Sequence, residues 1–169
     1  MAAHGRGQWW NEDVVLQAVN EVHGWQLTQQ VVATTAIDCR CFADPSAGML
    51  RDHCGMHPAI IERVVEHAEF AHVLRLIKAR AFSAALPADA VRGLVLACRG
   101  GKHRSVAMAY ILMTVMDRDP SVHVIQPPTF LTHLERACRC HVCHECRGDS
   151  SARLASLSRV LDIWMSIQL

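Results

Sequence analysis

Residues Leu94–Val106 read LVLACRGGKHRSV: an apolar run, two adjacent glycines and four polar or basic residues leading into further apolar sequence. The apolar run Leu94 to Cys98 predicts a buried strand. His103 to about Met116, apolar nearly all round, predicts a buried helix. Between them, Gly100 and Gly101 permit positive φ and let backbone N–H groups come close to a ligand. The first turn of the helix adds its own amides and the positive end of its dipole. Strand, glycine turn and helix start in this order predict an anion-binding loop, in the place where open parallel sheets take their ligands, beyond the strand carboxyl ends. Lys102, His103, Arg104 and Ser105 are its candidate side-chain ligands. Lys102 and Arg104 supply charge, Arg104 can give two parallel hydrogen bonds to phosphate oxygens, and Ser105 offers a hydroxyl. His103 can bind phosphate or move a proton. The plainer alternative is a tight turn with solvated basic residues, but four such side chains directly after two glycines exceed what turn chemistry needs.

Working outward, Val122 to Ile125 predicts a third strand, reached through the turn Asp117 to Ser121, so that strand, helix and strand make a right-handed parallel crossover. Upstream, the β-branched run Val31 to Ile37 predicts a strand that delivers Asp38, Arg40 and Asp44 at its carboxyl end. The segment from Ser46 to His57 is expected as loop, and Pro58 opens one long helical pattern to about Phe82, with Ile60, Ile61, Val64, Val65, Ala68, Ala71, Leu74 and Ile77 on its apolar face. Asn11 or Asp13 caps a short expected helix through His23, and Leu154, Leu157, Val160, Leu161 and Trp164 form one stripe of a C-terminal helix over 151–169. The fold class is α/β: a single domain with a mostly parallel sheet flanked by helices. Residues 1–30 are an N-terminal helical extension, 31–126 the α/β core, and 127–169 a Cys/His-rich segment with the C-terminal helix.

Composition bounds the function. Seventeen Lys and Arg stand against 16 Asp and Glu, so bulk attraction to nucleic acid or acidic membranes is not expected and any basic site is local. The start, MAAHGRGQWWNEDVV, lacks the apolar run of a signal peptide, and no segment approaches the roughly 20 apolar residues of a membrane span. A cytoplasmic protein with no membrane partner is expected, its eight cysteines serving as thiols or ligands in place of a disulfide framework.

Two chemistries remain open for the glycine loop. No Walker pattern is present. Cys98, five residues and Arg104-Ser105 match the signature of cysteine-dependent phosphatases, in which a thiolate attacks phosphorus and the Arg clamps the oxygens. Ala97 stands before the cysteine where that signature usually has His, and Asp38, Asp44 and Asp89 all compete as proton donor. The other chemistry is non-catalytic binding of a phosphorylated ligand.

The block ACRGGKHRSVAMA resembles the GCTGGKHRSV-type motif of the RapZ C-terminal domain family. Upstream and in the same order, IDCRCFADP followed by LRDHCGMHPAI is similar to that family's Asp-x-Arg-Phe, x-Asn-Pro, Leu-Arg and Thr-Gly-x-Asp/Lys segment. The resemblance runs from Ile37 to Val106 and implies an α/β unit that binds RNA and senses an amino-sugar phosphate. It implies a pocket in which Asp38 and Arg40 join Gly100, Gly101, Lys102, His103, Arg104 and Ser105, assisted by Arg51. A phosphosugar or nucleotide-like ligand is the expected small-molecule partner, and RNA the macromolecular one. Three positions depart from the family pattern: Arg99 and Cys54 each replace a Thr, and His57 stands where an acidic residue is common.

The densest run of soft ligands is CRCHVCHEC, Cys138 to Cys146, outside the resemblance. Cys138, Cys140, Cys143 and Cys146 are candidate zinc ligands. Since tetrahedral zinc usually takes two separated ligand pairs, such a run must wrap tightly or borrow a distant residue, Cys39, Cys41 or Cys54. Iron–sulfur ligation through the two-residue gaps of Cys140, Cys143 and Cys146, and unligated surface thiols, are the alternatives.

Overall fold

The β-branched run at the start of the core forms β1 (Val31–Asp38), which pairs in parallel with β2 (Val91–Ala97). A computed structural model describes residues 31–44, 47–81, 91–99, 101, 103–122, 143–147 and 151–168. Thr35 lies opposite Leu94 and Asp38 opposite Ala97, so the two strands end side by side; the one irregularity of register falls between Val31 and Ala33. Parallel neighbours cannot be joined by a hairpin and need a long crossover. Here it carries α1 (Pro58–Val65) and α2 (Phe70–Ala81). The fold is α/β with one core, and its sheet is small: among the described residues it has these two strands.

The expected single helix from Pro58 to Phe82 is two helices. After Val65 the chain turns, and the Nδ1 of His67 accepts the Glu69 N–H at 3.2 Å while the Phe70 N–H donates to the His67 carbonyl at 2.9 Å, which starts α2 on a new axis. The bend changes the inner face. Ala68 is exposed and Ala71 only partly covered, whereas Phe70, Val73, Leu74 and Ile77 join Ile60, Ile61, Val64 and Val65 in the core. The His67 ring stands edge-on to the buried Phe42 at 5.6 Å, which fixes the corner against the β1 exit.

The helix after the glycine loop, α3 (Arg104–Arg118), buries Val106, Ala107, Met108, Ile111, Leu112 and Val115. After the short α4 (His144–Arg147), α5 (Ser151–Ser166) closes the core by packing on α1, α2 and α3. Its buried residues are Arg153, Leu157, Val160 and Trp164, whereas Leu154 is 54% exposed. The expected stripe is therefore rotated at its N-terminal end, because Arg153 turns inward to reach the Glu145 carbonyl and the face of Tyr110 at 5.5 Å. Fully burying each large apolar side chain in this layer is worth about 1.5–3 kcal/mol relative to exposure.

The Trp164 indole N–H donates to Asp119 Oδ2 at 2.7 Å, just past the end of α3. Lys78 of α2 donates to the carbonyls of Trp164 and Ile167 at 2.7 and 3.1 Å, a cation on the carbonyl end of α5. Among the described residues no helix is long and apolar enough to cross a membrane. The expected N-terminal helix and residues 123–125 of the expected third strand lie outside the described residues; Val122 follows a turn in which its N–H bonds the Asp119 carbonyl.

Candidate functional site

The two strand exits and the start of α3 converge. At the end of β1, Asp38 accepts three kinds of hydrogen bond from Arg40: from its backbone N–H at 2.9 Å, from Nε at 2.8 Å, and from a terminal nitrogen at 2.7 Å. The backbone bond caps a 3₁₀ turn, Cys39–Cys41, and the paired side-chain bonds are the two-pronged geometry that Arg forms with carboxylates. Burial pushes the Asp38 carboxyl up, but the Arg40 bonds and charge, with Arg104 behind them, hold it below the usual carboxylate range. Asp38 is therefore a fixed anion at neutral pH.

From the other side, Arg104 in the first turn of α3 donates through one terminal nitrogen to the carbonyls of Arg40 and Phe42 at 3.2 and 3.3 Å. Arg104 thus straps the helix start to the β1 exit. In the glycine loop, Gly101 has φ 59°, the left-handed region that a glycine occupies without strain. Gly100 and Lys102 lie outside the described residues. Ser105 is buried, and its hydroxyl meets Cys98 Sγ at 3.2 Å. His103 turns to the neighbouring loop and donates from Nε2 to the His53 carbonyl at 2.8 Å. Arg51 is 80% exposed on its side chain, with Asp52 at 3.7 Å.

The second motif block lies against the first. A Cβ on Gly55 would come within 2.2 Å of the His103 carbonyl oxygen and 2.4 Å of the Ala107 nitrogen, so only a glycine lets the 52–57 loop touch the start of α3. His57 caps α1, its Nδ1 accepting the Ala59 N–H at 3.2 Å, and its Nε2 donates to Glu145 at 2.7 Å. Burial and the adjacent His53 hold His57 below the ordinary imidazole range, against the pull of Glu145.

Sequence reasoning singled out Asp38, Arg40, Gly101, His103, Arg104 and Ser105, and all six belong to this one junction. It overlooked His53, the carbonyls of Arg40 and Phe42 that Arg104 grips, and the docking of the Cys/His tail. The two histidines His53 and His57, with three residues between them, were the available signal for the last. Of the cysteines proposed as metal ligands, Cys138 and Cys140 lie outside the described residues. Cys143 and Cys146 face the 53–57 loop, with Cys146 Sγ 3.7 Å from His53 Nδ1. Of the distant partners named, Cys54 is buried within that loop, while Cys39 and Cys41 lie in the 3₁₀ turn after β1. Cys39 is fully buried at the β1 exit, where burial, Cys98, Cys41 and Asp38 all push its thiol well up; Cys41 is raised by burial and Asp38.

For phosphatase chemistry, the proton-donor candidates are already engaged: Asp38 with Arg40, and Asp44 with Arg63 at 2.8 Å, while Asp89 lies outside the described residues. No disulfide joins any of the six described cysteines.

Neither the curated proteins nor the solved structures contain a match to this chain. The model of the RapZ C-terminal domain matches residues 21–126, which holds both strands, the glycine loop and the 52–57 loop, and the chain belongs to that family.

Proposed function

We propose that the chain is a non-catalytic module that binds a phosphorylated small molecule, with an amino-sugar phosphate as the ligand class, at the junction of the β1 exit and the glycine loop. One observation carries the reading. Arg104 bridges the two blocks by gripping the Arg40 and Phe42 carbonyls, which sets the Asp38–Arg40 pair beside the first turn of α3 at the carboxyl ends of two parallel strands. The positive φ of Gly101 and the helix start supply backbone donors for an anion, and Arg40 supplies charge. The fixed Asp38 carboxylate accepts from a sugar hydroxyl or amine, so anion and carbohydrate are read by neighbouring groups. Family membership adds RNA as the macromolecular partner, which a net charge of +1 restricts to a local surface.

Isothermal titration tests the ligand. Saturable heat is expected with an amino-sugar phosphate and weaker heat with inorganic phosphate, and Arg40→Ala should lose at least about tenfold in affinity, the worth of one charge-assisted contact. Absence of heat with phosphosugars, nucleotides and phosphate alike would end the reading. A salt-dependent gel shift tests the RNA, where a slope near zero would argue against contacts to the phosphate backbone.

A cysteine-dependent phosphatase is the second reading, favoured by the 3.2 Å contact between Cys98 Sγ and the Ser105 hydroxyl, a donor placed to steady a thiolate. Turnover of a phosphomonoester that Cys98→Ser abolishes would establish it over the binding module.

A further inference from the structure

His57 and Glu145 are 88 residues apart in the chain and His53 and Cys146 are 93 apart, yet the tail and the 53–57 loop meet in one cluster. Ligand atoms of His53, His57 and Cys143 all lie within 4.8 Å of one another. Cys146, buried, brings its Sγ to 3.7 Å from His53 Nδ1, and the two imidazole rings stand 4.2 Å apart. With Zn–N near 2.0 Å and Zn–S near 2.3 Å, the edges of a tetrahedral zinc site are about 3.3–3.8 Å. The Cys146–His53 separation already has that length, and the separations among His53, His57 and Cys143, none above 4.8 Å, need to close by about 1–1.5 Å at most.

From this geometry we infer that His53, His57, Cys143 and Cys146 form a structural zinc site that pins the tail to the wall of the candidate pocket. The pattern is two spaced pairs, His-x3-His and Cys-x2-Cys, the arrangement tetrahedral zinc requires and the tail alone could not supply. Two thiolates with two imidazoles select zinc over the hard cations. A carboxylate already holds one ring nitrogen of His57: Glu145 on Nε2, the kind of outer partner that fixes the ring of a metal-bound histidine. Ligation through the other nitrogen exchanges the long bond from the Ala59 N–H for the metal. Binding takes Zn2+ from solution and releases the protons of both thiols, so uptake strengthens as pH rises. Cys143 and Cys146 lie beyond residues 21–126, so the site is an addition of this chain to the matched family domain. The inference stands on its own contacts and does not rest on the phosphate reading.

Metal analysis of the full chain, purified without chelator, should find about one equivalent of zinc. Cobalt substituted into the chelator-treated chain should show the intense visible bands of a tetrahedral site together with thiolate-to-cobalt charge transfer. That spectrum counts thiolates in the unmutated protein, whatever the variants do. His53→Ala and Cys143→Ser should each weaken zinc binding at least about tenfold, with Cys138→Ser and Cys140→Ser unchanged. Zinc below about a tenth of an equivalent with no thiolate charge transfer would overturn the assignment. So would iron in its place, or binding that survives His53→Ala and is lost in Cys138→Ser.

Discussion

Asp38 is held between opposing forces, and that makes it testable by pH. Desolvation raises its pKa, while the hydrogen bonds and charge of Arg40, with the nearby Arg104, lower it further than burial raises it. A carboxyl whose folded pKa is depressed contributes stability that is complete above its unfolded pKa, about 3.9, and is lost as pH falls through the lower folded value. Urea denaturation of the wild type and Asp38→Asn should therefore show a constant gap in midpoint from pH 7 to pH 5, narrowing below about pH 4 as the wild-type carboxyl takes up its proton. A gap that is flat to the lowest pH would mean that Asp38 contributes through its shape and its neutral hydrogen bonds. The same pairing bears on mechanism. A carboxylate kept ionised is a poor general acid, so the residue that best serves a ligand hydroxyl is the one least suited to protonate a leaving group.

At the level of elements, the close approach of the 52–57 loop to α3 is what turns two motif blocks into one site. Gly55→Ala would drive a methyl into two backbone atoms that cannot rotate away, at 2.2 and 2.4 Å, and should cost about 2–3 kcal/mol in chemical denaturation. Ligand affinity should fall with it, because His103 and the helix start are displaced together. The strand, glycine turn and helix around LVLACRGGKHRSV were legible from sequence because each signal is local: an apolar run, a glycine pair, a helical period. The break between α1 and α2 was not, since His67 makes it by a side-chain cap, without the Gly or Pro that normally marks a helix end. Nor was the face of α5. Helical periodicity favours Leu154 for the interior, while the buried residue is Arg153, which finds the Glu145 carbonyl and Tyr110. The pairing of His53 and His57 with the tail is a contact between distant segments: each half shows spaced ligands in the sequence, but nothing local to either says that they meet.

At the scale of the whole molecule, α5 joins what the site needs to what the core needs. Trp164 is fully buried and donates to the buried Asp119, while Lys78 holds the Trp164 carbonyl and lies 5.0 Å from its ring. Trp164→Phe removes the indole N–H, leaves that Asp119 oxygen short of a donor, and opens space where the larger ring was. A loss of about 2–4 kcal/mol is expected by thermal or urea unfolding. The longest line of coupling runs from the tail to the glycine loop: the loop that carries His53 and His57 offers its backbone carbonyl to His103. Two ligands that bias one shared hydrogen-bonded unit must affect each other's affinity by the same factor. Stripping zinc with a chelator should weaken phosphate binding about fivefold or more, and saturating phosphate should tighten zinc binding by that same factor. His103→Ala removes the donor to the His53 carbonyl and should bring the factor toward one, even where each ligand alone still binds. A factor of one in the unmutated chain would mean that the two sites, though adjacent, are energetically separate, and that the tail braces the fold without reporting on the pocket.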